Sequence, residues 1–254
     1  MSHPPLRSVV LATCAVALVG VGSASGALVA YQNLILHANG GFTPRTLPRS
    51  HYAPISFKGH FDIDARDGGR PLALQRVVLD FDRDGRLDVN GLPTCPAERI
   101  AAAGVAEARQ LCGSAIVGRG HVEALVSLPG GAAVPASSDL TIFNAPRVEG
   151  HPAVVLHAQF TSPATQTLAI VAPITQRSGE YRYRVTIELP PIAAGLGSLT
   201  HLDAEVGRRY EAGGKRRSYV SARCSDNILR TQGGFTFSDG TLIEGNVEKF
   251  CRSE

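Results

Sequence analysis

The chain has no tryptophan, and aromatic residues make up only 6% of its 254 positions. That excludes a row of aromatic platforms on which bases or sugar rings could stack. Charged residues are few as well, at 19%, against 27 glycines and 16 prolines, a balance that speaks for many turns and against long charged helices. The formal net charge of +3 gives no ground for a nucleic-acid partner. No repeat of fixed period and no low-complexity tract is present. C-x-x-C, H-E-x-x-H and G-x-S-x-G are all missing, so the common zinc and serine-hydrolase arrangements lack their marks. Gly195-Leu196-Gly197-Ser198 follows Pro190-Pro191 and lacks the strand-to-helix setting of a phosphate loop.

The N-terminus is the most informative stretch. Arg7 is the only charge ahead of an apolar run from Val9 to Val21, and Gly22-Ser23-Ala24-Ser25-Gly26-Ala27 follows. A charged start, an apolar middle and a small-residue zone are the layout of a secretory signal peptide, with a cut expected ahead of Ala27. An uncut segment from Ser8 to Ala30 would be long enough to span a bilayer, but its glycines and serines favour cleavage. Leu11-Ala12-Thr13-Cys14 has the outline of a lipoprotein signal, with Thr13 a poor residue at the cut. Cleavage leaves about 225 residues, enough for one large β domain or two small ones. The expected organisation is a signal peptide over 1–26, an extended arm or linker over 27–54, and a β-rich domain over 55–254. The arm is read from Gly40-Gly41 and from the prolines at 44, 48 and 54.

Cys14 leaves with the signal, and Cys95, Cys112, Cys224 and Cys251 remain. An even count in an exported chain points to disulfides. The local pairing, Cys95 with Cys112 and Cys224 with Cys251, is favoured among the three possible. Between the first two lies a helix pattern. Cys95 suits the N-cap, Pro96 the first helical position and Glu98 the third. Ile100, Gly104, Ala108 and Leu111 then share one stripe, so a helix is expected over about Pro96 to Leu111. A straight helix would hold the two cysteines about 25 Å apart, whereas a disulfide needs Cα atoms within ~7 Å. Either the helix turns back near Gly104 or the cysteines pair across to Cys224 and Cys251.

Strict alternation of apolar and polar residues recurs along the chain. It runs through Ile55 to Ile63, through Val122, Ala124, Val126 and Leu128, and through Val154, Leu156, Ala158 and Phe160. It continues in Tyr181 to Leu189 and in Leu202, Ala204 and Val206. One wet face per strand is the pattern of antiparallel sheet. The fold class expected is therefore mainly β: an antiparallel sandwich or barrel-like single domain with one short disulfide-bracketed helix.

The strongest candidate site is Asp80-Phe81-Asp82-Arg83-Asp84-Gly85-Arg86-Leu87-Asp88. Asp80, Asp82, Asp84 and Asp88, with Gly85 at the bend, match the first part of a calcium-binding loop. Position twelve is Gly91, where such a loop has its bidentate glutamate, so affinity would be weak. The competing reading is a plain hairpin turning at Asp84-Gly85, and no cofactor is expected beyond possible calcium. His60, His121, His157 and His201 fall on the polar phase of expected strands and read as solvated. Ser198, His201 and Asp203 are close only in sequence, which does not make a triad. Arg208, Arg209, Lys215, Arg216 and Arg217 form a basic segment that could meet an acidic envelope polymer or protein, or simply guard a strand edge.

Several short runs carry a resemblance. They are Gly91-Leu92-Pro93-Thr94-Cys95-Pro96, Cys112-Gly113-Ser114-Ala115-Ile116-Val117-Gly118-Arg119-Gly120, Phe143-Asn144, Pro190-Pro191-Ile192-Ala193 and Ser218-Tyr219-Val220-Ser221-Ala222-Arg223-Cys224. Together they resemble a group of exported, uncharacterised β-rich proteins of GC-rich actinobacteria, over roughly residues 42 to 252. Three lysines against 22 arginines fit such a genome. The resemblance implies export and no particular activity. The functional expectation is a non-catalytic extracellular or cell-envelope binding or structural protein. A hydrolase with a site assembled from separate loops and a calcium-stabilised adhesive module stand as alternatives.

Overall fold

The computed structural model describes residues 26–128 and 130–253. The expected signal segment up to Ser25, Cys14 included, lies outside the described residues. The first elements among the described residues are β1 (Ala27–Tyr31), β2 (Leu34–Thr43), β3 (Thr46–Leu47), β4 (Ala53–Pro54), β5 (Ser56–Ala65), β6 (Leu74–Asp82) and β7 (Gly85–Leu87). The helix α1 (Val105–Cys112) leads into β8 (Ile116–Ser127), β9 (Ala133–Val148), β10 (His151–Phe160), β11 (Gln166–Gln176) and β12 (Tyr181–Glu188). Then come β13 (Gly197–Val206), β14 (Arg209–Ala212), β15 (Lys215–Ser218), β16 (Val220–Ala222), β17 (Ile228–Phe237), β18 (Leu242–Phe250) and β19 (Arg252–Ser253).

Twelve of these strands make one antiparallel sheet in the order β1-β2-β5-β13-β8-β9-β10-β11-β12-β6-β17-β18. The sheet curls until its two edges meet, with Gly245 of β18 set against the Cβ of Ala27 of β1. These edge strands touch but are not paired, so the barrel is nearly closed. The expected β class, with one helix bracketed by Cys95 and Cys112, is what the chain forms.

Alternation decides which way each side chain faces. Leu36, Phe61, Val77, Leu140, Leu156 and Phe235 belong to one continuous core inside the barrel. The opposite phase of β2, β5, β8 and β13 is polar and half-exposed. A barrel that crosses a membrane carries its apolar band outside, and these strands have the reverse arrangement. Among the described residues no helix is long and apolar enough to cross a membrane.

The stretch 27–54 is not an arm, because β1 and β2 are two of the barrel strands. The glycines that suggested a linker serve a close approach instead. Gly40 pairs with Gly59 of β5, and a Cβ at Gly40 would lie 3.0 Å from the Lys58 carbonyl oxygen.

The disulfide Cys95–Cys112 closes with its Cα atoms 5.7 Å apart. The continuous helix expected over 96–111 breaks into a 3-10 turn, Ala97–Arg99, followed by α1. Gly104 takes extended angles, φ −66° and ψ 164°, and is the N-cap of α1, so neither Cys95 nor Pro96 starts it. Of the expected stripe, Ile100 and Ala108 are buried but Leu111 is exposed. This segment covers the outer face of β9 and β10 with a second core around Phe143, Ala153 and Val155. The second disulfide, Cys224–Cys251, sits in a third small core with Phe42 and Leu47. Beside it the chain end is tied down by the parallel pair β19–β3. Two disulfides are the chemistry of an oxidising, extracytoplasmic setting.

Candidate binding site in the barrel lumen

The barrel interior is not filled. A cavity of about 340 Å³ runs inside it, where 300–1,000 Å³ is the usual span of small-molecule sites. Its walls are Leu36, Phe61, Leu156, Ile174, Val185, Phe235 and like side chains from most of the twelve strands. At one end the lining turns polar, with Asp82, Arg86, Arg230, Thr231 and Lys249. That end carries the small sheet β4-β16-β7, whose Val220, Ser221 and Ala222 also border the cavity.

Tyr219, next to this small sheet, borders the cavity and is 2% exposed. Its hydroxyl has no hydrogen-bond partner among the described residues. Burial pushes the phenol up from its ordinary value, so it is a neutral donor at any ordinary pH. Leaving a buried hydroxyl unpaired costs roughly 1–3 kcal/mol.

The other end opens on a wetter crevice of about 750 Å³ bordered by Gln32, Arg70, Glu188, Ser238 and Asp239. Leu189, Ile192 and Leu199 belong to both spaces and stand between them. Ile192 opens a short segment in which Ala193 and Ala194 have φ of 48° and 54°, left-handed angles that cost a residue with a Cβ. Gln166 holds that segment. Its Oε1 accepts from Ala193 N–H at 2.8 Å and its Nε2 donates to Pro191 O at 3.0 Å.

Of the aspartates singled out in the sequence, Asp82 alone lines this cavity, and each of the four meets a different arginine. Asp80 takes a two-pronged pair from Arg184, at 2.8 and 2.6 Å. Asp82 accepts from the backbone N–H of Asp84 and Arg230, both at 2.8 Å, with Arg230 Nη1 at 3.7 Å. Asp84 accepts from Arg223 Nε and Ser225 N–H, both at 2.8 Å. Asp88 accepts from Arg217 at 2.7 Å. Burial pushes the Asp82 carboxyl up, against those two backbone N–H groups. Burial also acts on Asp84, but hydrogen bonds from Ser225 and Arg223 outweigh it and hold that carboxyl below the usual range. Among the described residues the four do not converge as a group that could share an ion. Nor is the segment a plain hairpin. After the turn at Arg83-Asp84, β7 leaves β6 and pairs with β16, and the arginines that meet the aspartates come from β12, β15, β17 and the loop after β16.

The other candidate residues are dispersed. Ser198 is buried, donates to Pro71 O and accepts from Arg70, both at 2.7 Å, while His201 bonds Asp62 at 2.6 Å. A register shift between Leu199 and His201 separates them further. His157 was expected to be solvated, yet it is fully buried, with Nε2 3.1 Å from both Ile100 O and Ala103 O. In the basic segment, Arg208 donates to Ser114 O and Ile116 O, and Arg217 is taken by Asp88. Arg209, Lys215 and Arg216 are exposed on the β14–β15 hairpin. The lumen itself was not found from the sequence, because it exists only once twelve strands close round it. Comparison with protein families, with curated proteins and with solved structures gave no match for this chain.

Proposed function

We propose that this is an exported, non-catalytic binding protein of the extracellular space or cell envelope that holds one slender amphiphile in its barrel. The apolar cavity of about 340 Å³ carries the reading. A 150 Å³ apolar cavity already takes benzene, so a space of this size suits an acyl chain or a hydrocarbon of similar girth. The unpartnered Tyr219 hydroxyl supports a ligand with one polar acceptor, such as a carboxyl or ester oxygen, seated at the end with Arg86 and Lys249. The crevice behind Ile192 supplies a route in.

The test is fluorescence titration with parinaric acid, a naturally fluorescent fatty acid, alongside mass spectrometry of lipid co-purified from the native host. Saturable binding of one probe is expected. Ala38→Phe and Ala204→Phe both put a ring into the lumen and should abolish it while circular dichroism stays unchanged. Tyr219→Phe should weaken the fatty acid more than a plain alkane competitor, with stability equal to or above that of the parent, since an unpaired hydroxyl is removed. No saturable binding, or binding indifferent to both ring-bearing variants, overturns the reading.

A further inference from the structure

Four adjacent strands place histidine and acid side by side on the outer face of the barrel. Asp62 of β5 stands opposite His37 of β2 on one side and His201 of β13 on the other. One step along, His60 stands opposite Asp203 of β13, and Asp203 opposite His121 of β8. Because side chains two apart on a strand share a face, His60 joins His37 and Asp62 in one cluster. One ligand atom from each of these three lies within 4.8 Å of the others.

From these positions the geometry points to a site for a borderline divalent metal ion, of the zinc, copper or nickel class, held by His37, His60 and Asp62. Two imidazoles and one carboxylate are the donor set such ions take, whereas calcium and magnesium want oxygen alone. Metal–ligand bonds of about 2.0–2.2 Å set ligand atoms about 3.3 Å apart in a tetrahedron. The half-exposed side chains need only small rotations to draw in that far, and a fourth position stays open to water.

The hydrogen bonding favours the same assignment. His60 makes no hydrogen bond or ion pair among the described residues, and its ring meets only that of His37, edge-on at 5.9 Å. His37 Nδ1 is 3.8 Å from Asp62 Oδ2, too far for a hydrogen bond. The other carboxylate oxygen, Oδ1, is occupied by His201 Nδ1 at 2.6 Å. His201 is in turn steadied by Asp203, 3.5 Å from its Nε2. His201 is therefore a positioning residue: it fixes the carboxylate so that Oδ2 faces the imidazoles of His37 and His60, as outer partners orient metal ligands elsewhere. The three side chains share the polar, outward phase of β2 and β5, and His60 also borders the lumen cavity.

Calorimetric titration of the purified protein with Zn²⁺, and electron paramagnetic resonance of the Cu²⁺ form, test it. One equivalent of Zn²⁺ should bind, and the Cu²⁺ spectrum should show two imidazole nitrogens. His37→Ala and His60→Ala should each remove one nitrogen and the Zn²⁺ binding, with the metal-free melting temperature unchanged. His201→Gln should keep both nitrogens but lower affinity roughly tenfold, and His121→Ala should change neither. Absence of stoichiometric binding, binding that survives loss of His37 and His60, or a spectrum altered by His121→Ala would overturn the assignment.

Discussion

Strands β10 and β12 lie two places apart in one sheet and face opposite fates. Every residue of β10 from Ala153 to Ala158 is buried, whereas no residue of β12 is fully buried. β10 has the lumen on one side and the α1 segment on the other. β12 has the lumen on one side and water on the other. The same backbone therefore carries two kinds of core. The satellite under α1 is fully buried around Phe143, Ala153 and Val155, while the lumen leaves room along Val185 and Ile187. Stability should reside in the first and binding in the second.

Truncation gives the largest expected effect and the sharpest way to break this division. Phe143→Ala, at 0% exposure in the satellite, should cost about 4 kcal/mol. That is a fall in melting temperature on the order of 10 °C at about 2–4 °C per kcal/mol. Val185→Ala on β12 removes a half-buried group that already borders open space, and about 1 kcal/mol is expected. Urea melts of the two variants measure both, and equal losses would mean that the lumen is as tightly packed as the satellite.

A smaller effect contrasts the two best-placed histidines. Burial lowers His157 below its ordinary 6.5, against the two carbonyls it faces, with Arg109 adding to the effect. The unfolded chain then binds a proton that the folded one resists, so this group costs stability as pH falls below 6.5. Partial burial also acts on His201, but the carboxylates of Asp62 and Asp203 outweigh it and raise its pKa. Its contribution is fully present below 6.5 and is lost as pH rises through the raised value. His157→Gln should therefore flatten the acid side of a stability–pH curve measured by urea melts, and His201→Gln should steepen it. Parallel shifts would contradict the contrast between the buried and the outer histidine.

The smallest expected effect is none at all. With each of Asp80, Asp82, Asp84 and Asp88 engaged by arginine or backbone N–H, millimolar calcium should leave the melting temperature where a chelator leaves it. A rise that Asp82→Ala and Asp84→Ala together abolish would place an ion there.

The same contrast explains what could be read in advance. Strands with one wet face, such as Ile55 to Ile63 or Tyr181 to Leu189, announce themselves by alternation, and so did the β class. His157 misled because its alternate position on β10 is covered by a segment more than forty residues earlier in the chain. The bend at Gly104 was legible because a disulfide length and a helix rise cannot both be satisfied otherwise. The aspartate loop was visible as a motif, but its arginine partners come from four distant segments, so their claim on it was hidden. His37, Asp62 and His201 are opposite one another only through sheet register, which a single strand does not encode.

The seam between β1 and β18 has a kinetic consequence. The strand laid down first in the barrel meets the one laid down almost last, so no amount of early pairing completes the wall. The meander from β8 to β12 can assemble from neighbours, but the enclosure waits for the arrival of β17 and β18, a contact of very long loop-closure distance. Until then the apolar inner face stands open along one side. Folding of this chain is therefore expected to be paced by its C-terminal hairpin, whose outer strand leads straight into Cys251 and its bond to Cys224.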